Sequence, residues 1–113
     1  MDNKKLLIEL PKGAEFIPLA DIIYCRANNN WTIIALKGQI FLQVCQTLKT
    51  IEERINSDNF LRVHRSYLVN LHHIEKIQGC CEQLEMIEGH SVPVSRRRKK
   101  ELKQTLRNVM KLV

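Results

Sequence analysis

Three polar residues interrupt an apolar, strand-like segment in the second half of the chain. The alternation of residues 60–63 is typical of a β-strand, and His64, Arg65 and Ser66 break it before apolar residues resume at Leu68. The break places two potential cations and a hydroxyl at one position on the surface, between segments that must be buried. Because such side chains contact phosphates and base edges, the trio predicts a nucleic-acid site.

Five consecutive cations follow Ser95, where the last helix is predicted to begin; they are Arg96, Arg97, Arg98, Lys99 and Lys100. The helix dipole stabilises anions at this end by ~0.3–1 kcal/mol, so cations are unfavourable there for folding alone. Backbone N–H groups, the dipole and guanidinium groups together favour a bound phosphate, and arginine also matches guanine O6 and N7 in the major groove. We predict nucleic-acid contact here; the alternative is an exposed, dynamic basic patch.

The charge distribution indicates a polyanionic partner. The 113 residues carry a formal charge of +6. Residues 1–57 contain 7 Lys and Arg against 6 Asp and Glu, whereas residues 58–113 contain 11 against 6. A basic half of this kind favours nucleic acid over a membrane surface.

The segment Asn28–Asn30, ahead of Trp31, is a third candidate contact. Asn adopts the left-handed conformation readily, so the segment predicts a hairpin turn rich in amide donors and acceptors. Loop tips on a rigid β scaffold can recognise a ligand without a recognition helix. No helix in the sequence has the pattern of one that enters a groove.

We expect no metal, no cofactor and no catalytic centre. The four cysteines include no Cys-x-x-Cys motif and should be free thiols, with Cys25 and Cys45 as small core residues. A metal cluster of His72, His73 and His90 with the adjacent Cys80-Cys81 is disfavoured, because neighbouring strand residues point to opposite faces. A triad built on His64 and Ser66 is disfavoured too, since both lie on one short strand without a nucleophile elbow.

The pattern of residues predicts a mostly β protein with hairpins, one short middle helix and a C-terminal helix. The strands are predicted at residues 6–10, 15–19, 21–27, 31–36, 39–44, 60–70, 74–77, 83–87 and 90–94. Thr47 should cap a helix from Leu48 to about Ile55. Ser95 should cap the last helix, whose apolar stripe is Leu102, Leu106, Val109 and Val113.

The chain is short enough for one domain over residues 1–113. No apolar run approaches the ~20 residues of a transmembrane helix, and Glu9 interrupts the N-terminal apolar stretch, so no signal peptide is expected. We therefore predict a cytoplasmic protein.

The segment from Phe60 to Asn70, with Ile74 and Ile77, resembles the signature of the LytTR-type DNA-binding domain of bacterial response regulators. The similarity extends over roughly residues 17–106. Residues 19–27 are similar to the strand that leads into the family's first DNA-contacting loop. Asn30-Trp31-Thr32 resembles the family's Asn-Tyr-Thr, and residues 93–97 resemble its Pro-Val-Ser-Arg motif before the last helix.

The resemblance implies small antiparallel sheets that insert loops into successive major grooves, usually as two copies on paired repeats. It implies DNA contacts at Asn30, Trp31, His64, Arg65, Ser66, Arg96 and Arg97, to which the cation run adds Arg98 and Lys100. Family members usually follow a receiver or a membrane segment. This chain is then either a one-domain regulator or an excised domain. Met1 and the polar start favour the one-domain regulator, controlled by its abundance or by a regulatory partner protein.

We therefore predict a sequence-specific transcriptional regulator that binds double-stranded DNA, with a homodimer forming on the DNA. The alternative is an RNA-binding regulatory module, which would share the basic surface. RNA-binding modules usually present an aromatic stacking platform, and aromatic residues make up only 5% of this chain.

Overall fold

The computed structural model describes residues 4–109, in which ten β-strands and two α-helices are found. The strands are β1 (Lys5–Leu10), β2 (Gly13–Pro18), β3 (Ile22–Asn28), β4 (Trp31–Leu36), β5 (Ile40–Val44), β6 (Phe60–His64), β7 (Tyr67–Asn70), β8 (Ile74–Gln78), β9 (Gln83–Met86) and β10 (Ser91–Pro93); the helices are α1 (Leu48–Ile55) and α2 (Lys99–Val109). The mostly β architecture with small antiparallel sheets is confirmed. No helix in this part of the chain is long and apolar enough to cross a membrane.

The strands form three antiparallel sheets. The central sheet has the order β5-β4-β3-β7-β6, β1 pairs with β2, and the third sheet has the order β10-β9-β8. In the central sheet β3 pairs with both β4 and β7, and Arg26 lies opposite Ile33 on one side and Tyr67 on the other. This register brings the end of β3 and the start of β7 to the same end of the sheet.

Both faces of the central sheet are covered. Successive residues of a strand point to opposite faces, and the two sets of side chains enter two different cores. Ile34 and Leu68 belong to a core shared with the β1–β2 hairpin and α1. The next residue in each strand, Ala35 or Val69, belongs to a second core shared with the β8–β10 sheet and α2. The loops at the ends of the sheet are therefore held between two cores.

Helix α1 was predicted correctly. The Thr47 hydroxyl accepts a hydrogen bond from the Thr50 backbone N–H at 3.2 Å, and Asn56 ends the helix in the left-handed conformation with φ 40°. The predicted inner face is buried, with Leu48, Ile51 and Ile55 at the core. The cap and the apolar spacing were both visible in the sequence.

The start of the last helix was predicted wrongly. Arg96–Arg98 form a single 3-10 turn, and the Ser95 side chain makes no capping hydrogen bond. The Ser95 backbone N–H instead donates to the Val63 carbonyl at 2.9 Å, which fixes the chain against the end of β6. On the predicted stripe Leu102 is buried and Leu106 is half-buried; the side chain of Val109 and all of Val113 lie outside the described part.

Two further expectations were wrong. His64, Arg65 and Ser66 do not interrupt one strand: His64 is the last residue of β6, and Arg65 and Ser66 form the turn to β7, which pairs with β6. Cys45 is exposed instead of buried, because it follows the edge strand β5, whereas Cys25 on the central strand β3 is buried as predicted.

Candidate nucleic-acid interface

Three polar segments from separate parts of the chain lie at one end of the central sheet. They are the β3–β4 turn with Trp31 (residues 28–31), the β6–β7 turn (residues 64–66) and the basic segment before and at the start of α2 (residues 95–100). The Ala27 N–H donates to the Ser66 carbonyl at 2.9 Å, and the Ser95 N–H donates to the Val63 carbonyl at 2.9 Å. We call this surface the loop end. Every predicted site residue lies in one of its three segments.

The β3–β4 turn presents polar side chains and one exposed indole. Asn28 pairs with Trp31, and Asn29 occupies the left-handed region with φ 58°, which asparagine tolerates at a turn. Asn30 is exposed, and Trp31 is 41% exposed. The buried Thr32 hydroxyl donates to the Gln46 carbonyl at 2.7 Å, which ties the base of this hairpin to the segment after β5.

The Arg62 side chain holds the β6–β7 turn in place by hydrogen bonds to its carbonyls. Its Nε donates to the His64 carbonyl at 3.1 Å, and Nη2 donates to the Arg65 carbonyl. Its Nη1 forms an ion pair with Glu52 of α1 at 2.9 Å. Strand alternation carries no signal for this positioning role, which was therefore missed; its basis is the three-dimensional approach of α1.

The His64 imidazole is oriented within the same turn. The Ser66 backbone N–H donates to His64 Nδ1 at 3.1 Å, and the ring contacts Tyr67 edge-on with 5.6 Å between centroids. Because Nδ1 accepts, the neutral ring carries its proton on Nε2, which is then a donor. Arg65 is exposed at the tip of the turn.

The cations of the basic segment differ in their surroundings. Arg96, Arg97 and Lys100 are exposed, whereas Arg98 is half-buried. The Arg98 guanidinium lies 3.7 Å from the Glu101 carboxylate and 3.5 Å from the Arg62 carbonyl. Arg98 therefore holds the basic segment against β6, and the exposed cations are those that a phosphate or a base could reach without breaking a contact.

Behind the loop end, Tyr24 and Tyr67 are neighbours with 6.0 Å between ring centroids. Burial raises the pKa of Tyr24; the nearby Tyr67 adds to this effect and Arg26 opposes it. The Tyr24 phenol is therefore neutral at pH 7. In the described part no group of three or more His, Cys, Asp or Glu side chains is placed to hold a metal ion.

A family model described as the LytTr DNA-binding domain matches residues 12–107. The chain belongs to the LytTr DNA-binding domain family. This confirms the resemblance on which the sequence-based prediction rested, including its assignment to a family of DNA-binding domains of transcriptional and response regulators.

The curated proteins to which this LytTr domain is similar are longer than the chain. The chain is 32% identical over 110 residues to sensory transduction protein LytT of Bacillus cereus, covering 95% of this chain and 44% of that one. It is 33% identical over 94 residues to the heme-containing CO-sensing transcriptional regulator RcoM 2 of Paraburkholderia xenovorans, covering 80% of this chain and 35% of that one. The chain thus spans less than half the length of these relatives.

The fold also matches a solved structure. The LytTr DNA-binding domain of a putative methyl-accepting/DNA response regulator from Bacillus cereus superposes with a TM-score of 0.77 at 24% identity, covering 93% of this chain and 98% of that one. This similarity establishes the LytTr fold of the chain.

Proposed function

We propose that residues 1–113 act as one sequence-specific DNA-binding unit of a transcriptional regulator, and that the loop end enters the major groove. The single observation that supports this most strongly is that backbone hydrogen bonds tie the three polar segments together at their ends: Ala27, next to the β3–β4 turn, donates to Ser66, and Ser95 donates to Val63, next to the β6–β7 turn. Hydrogen-bonded loops between two cores lose little conformational freedom on binding, which favours specific contact. No step of the proposed function is catalytic.

Within this proposal the exposed cations divide between base recognition and phosphate binding. Arg96 and Arg97 present planar guanidinium groups suited to guanine O6 and N7. Arg65 and Lys100 suit phosphates, which fix the orientation of the domain on the duplex. The half-buried Arg98 contributes positive charge while it stays paired with Glu101.

The β3–β4 turn and the β6–β7 turn supply the polar contacts of this proposed interface. Asn30 offers an amide that can pair with adenine N6 and N7. His64 offers Nε2–H and Ser66 a hydroxyl, while the Trp31 indole suits apolar contact with a sugar or a thymine methyl group. Trp31 and His64 are the only aromatic residues in residues 28–31, 64–66 and 95–100, which is too few for the stacking platform of a typical RNA-binding module.

The proposal also includes the binding of two copies of the domain to two repeated sites on one DNA duplex. A single DNA-binding module of this size buries roughly 600–1,000 Å² of protein surface, which limits the affinity of one copy. Two half-sites on one duplex hold two copies side by side, so a contact between the bound copies forms at high effective concentration and raises the overall affinity. We therefore expect tighter binding to a duplex with two repeats than to one with a single repeat.

Selection from random DNA duplexes at moderate salt tests the proposal. The expected result is enrichment of a defined motif that binds ~10³-fold or more tightly than unrelated duplex, with random RNA competing no better than random DNA. Failure to enrich any motif, or preferential competition by RNA, would contradict it and favour the RNA-binding alternative.

A further inference from the structure

The β1–β2 hairpin has one buried face and one apolar face in contact with solvent. Leu6, Ile8 and Ile17 point into the core and are each at most 6% exposed. On the opposite face Leu7 lies directly across from Phe16, and they are 42% and 67% exposed. Large apolar side chains in adjacent, mutually contacting positions on a solvated face indicate a surface with a partner.

Two opposite charges flank this apolar pair along β1. Lys5 lies two residues before Leu7 and Glu9 two residues after it, so all three side chains are on the same face. Across the hairpin Lys5 lies opposite Pro18, and Glu9 lies opposite Ala14. The face therefore runs from positive through apolar to negative, with Leu7 and Phe16 at its centre.

This arrangement is complementary to a copy of itself. Consider two such faces packed against each other, related by a two-fold axis. The axis lies in the plane between the faces, perpendicular to the strands, and passes between the two copies of Leu7. The axis reverses the strand direction, so Leu7 meets Leu7 of the second copy, and Lys5 of each copy meets Glu9 of the other. An isologous interface requires this kind of self-complementarity, whereas a partner with another surface would have no need of it.

We propose that the outer face of the β1–β2 hairpin is a homodimer interface, with Leu7 and Phe16 at its centre and two reciprocal Lys5–Glu9 pairs at its rim. A face two strands wide is smaller than the ~1,200–2,000 Å² buried by stable interfaces. The dimer is therefore weak and populated only at high protein concentration. The interface is independent of DNA, so it can be tested separately from the loop end.

Charge reversal tests the proposed pairing by sedimentation equilibrium without DNA. Lys5→Glu places two acids against each other at both rims, and Glu9→Lys places two lysines there. Each single variant should weaken self-association by about fivefold to tenfold, since each replaces two attractive surface pairs by two repulsive ones. The double variant Lys5→Glu/Glu9→Lys should regain the wild-type association constant.

An equimolar mixture of the two single variants gives the sharpest outcome. Each mixed dimer contains only attractive pairs, so the mixture should associate as the wild type does. Lys5→Glu also excludes a general charge effect. The substitution lowers the formal net charge of the chain from +6 to +4, so the long-range repulsion between two copies decreases, and this effect alone would strengthen association. Glu15→Lys, on the other face of the hairpin, is the matched control and should leave association near the wild-type value.

Phe16→Ser supplies a second, apolar test. The side chain is 67% exposed, so the variant should fold normally, which circular dichroism checks, while dimerisation falls at least about tenfold. A wild-type chain that stays monomeric at the highest soluble concentration would overturn the proposal. Association that is unchanged in Phe16→Ser, or not restored in the mixture, would overturn it as well.

Discussion

Arg62 of β6 and Arg65 of the β6–β7 turn, three positions apart, have different surroundings. Arg62 donates to two carbonyls of the turn and pairs with Glu52, whereas Arg65 is exposed at the tip. The sequence alone gives both arginines the same cationic side chain and does not distinguish them. The contacts separate a residue that shapes the turn from one that is available to a ligand.

Substitution of the two arginines should separate stability from binding. Arg62→Ala removes the carbonyl contacts and the ion pair and should cost ~1–2 kcal/mol of unfolding free energy. Arg65→Ala should leave unfolding unchanged within ~0.5 kcal/mol while weakening DNA binding. Urea unfolding and fluorescence anisotropy with a duplex measure the two quantities. Equal destabilisation by both variants would show that Arg65 also holds the turn together.

The His64 side chain also stabilises the β6–β7 turn, a role that the alternation of residues along the strand does not indicate. Because its Nδ1 accepts the Ser66 N–H, His64→Ala should lower the unfolding free energy by ~0.5–1.5 kcal/mol in addition to weakening DNA binding. His64→Asn, whose side-chain oxygen can also accept, is the conservative control and should recover part of the stability. No recovery of stability in that variant would show that the hydrogen bond contributes little.

The thiols give a pH-dependent prediction. Burial raises the pKa of Cys25 from the ordinary 9.0 to about 12. The folded state therefore disfavours the Cys25 thiolate. The free energy of unfolding is unaffected by this thiol below pH 9 and falls progressively as the pH rises from 9 toward 12, because the unfolded chain releases the proton more readily.

At pH 8 iodoacetamide should label the exposed Cys45 and Cys80 quickly and the buried Cys25 and Cys81 slowly.

Intact-mass analysis with peptide mapping measures this labelling. In denaturant all four cysteines should react at similar rates, which serves as the control. Labelling of Cys25 in the native protein as fast as labelling of Cys45 would show that the central sheet opens far more often than its burial implies.

At the scale of elements, α1 could be predicted because its signals are local. Thr47 supplies the cap, and Leu48, Ile51 and Ile55 supply the spacing. The start of α2 could not: the Ser95 side chain makes no capping hydrogen bond, and Arg96–Arg98 form a 3-10 turn. The Ser95 backbone N–H donates to the Val63 carbonyl, 32 residues earlier in the chain, and such a long-range contact has no local signal in the sequence.

The basic segment should contain both base-recognising and phosphate-binding residues. Arg97→Ala should lose ~1–3 kcal/mol on the selected duplex and much less on unrelated duplex, if it contacts a guanine as proposed. Lys100→Ala should weaken both duplexes by the same factor. Competitive anisotropy titrations with the two duplexes make the comparison. Equal loss on both duplexes for Arg97→Ala would reassign that residue to phosphate binding.

At the scale of the whole molecule, the sequence was sufficient for the family and the sheet-rich architecture but not for the packing of the sheets. The β-branched strands and the turns at Asn28–Asn30 and Gly38 were visible locally. The grouping of residues 28–31, 64–66 and 95–100 depends on the strand order β5-β4-β3-β7-β6. That order comes from non-local pairing, so the resemblance to a known family supplied what periodicity alone could not.

Binding should weaken steeply with salt, because exposed cations are spread over two of the three segments of the loop end. If the exposed Lys103 and Arg107 of α2 act together with Arg65, Arg96, Arg97 and Lys100, about 5–6 phosphates are neutralised, and the slope of log K against log salt concentration should be near −5. Titrations at a series of potassium chloride concentrations measure it. A slope flatter than about −2 would show that phosphate contacts are not the main source of affinity.

Equilibrium binding to the selected duplex by one alanine variant from each segment tests the loop-end interface most directly. Asn30→Ala, Arg65→Ala and Arg97→Ala should each weaken specific binding, while Glu15→Ala on β2, outside the three segments, should not. Single-base substitutions in the duplex should then show that Asn30→Ala and Arg97→Ala relax specificity at different base pairs. Wild-type affinity and specificity in all three variants would contradict the proposed interface.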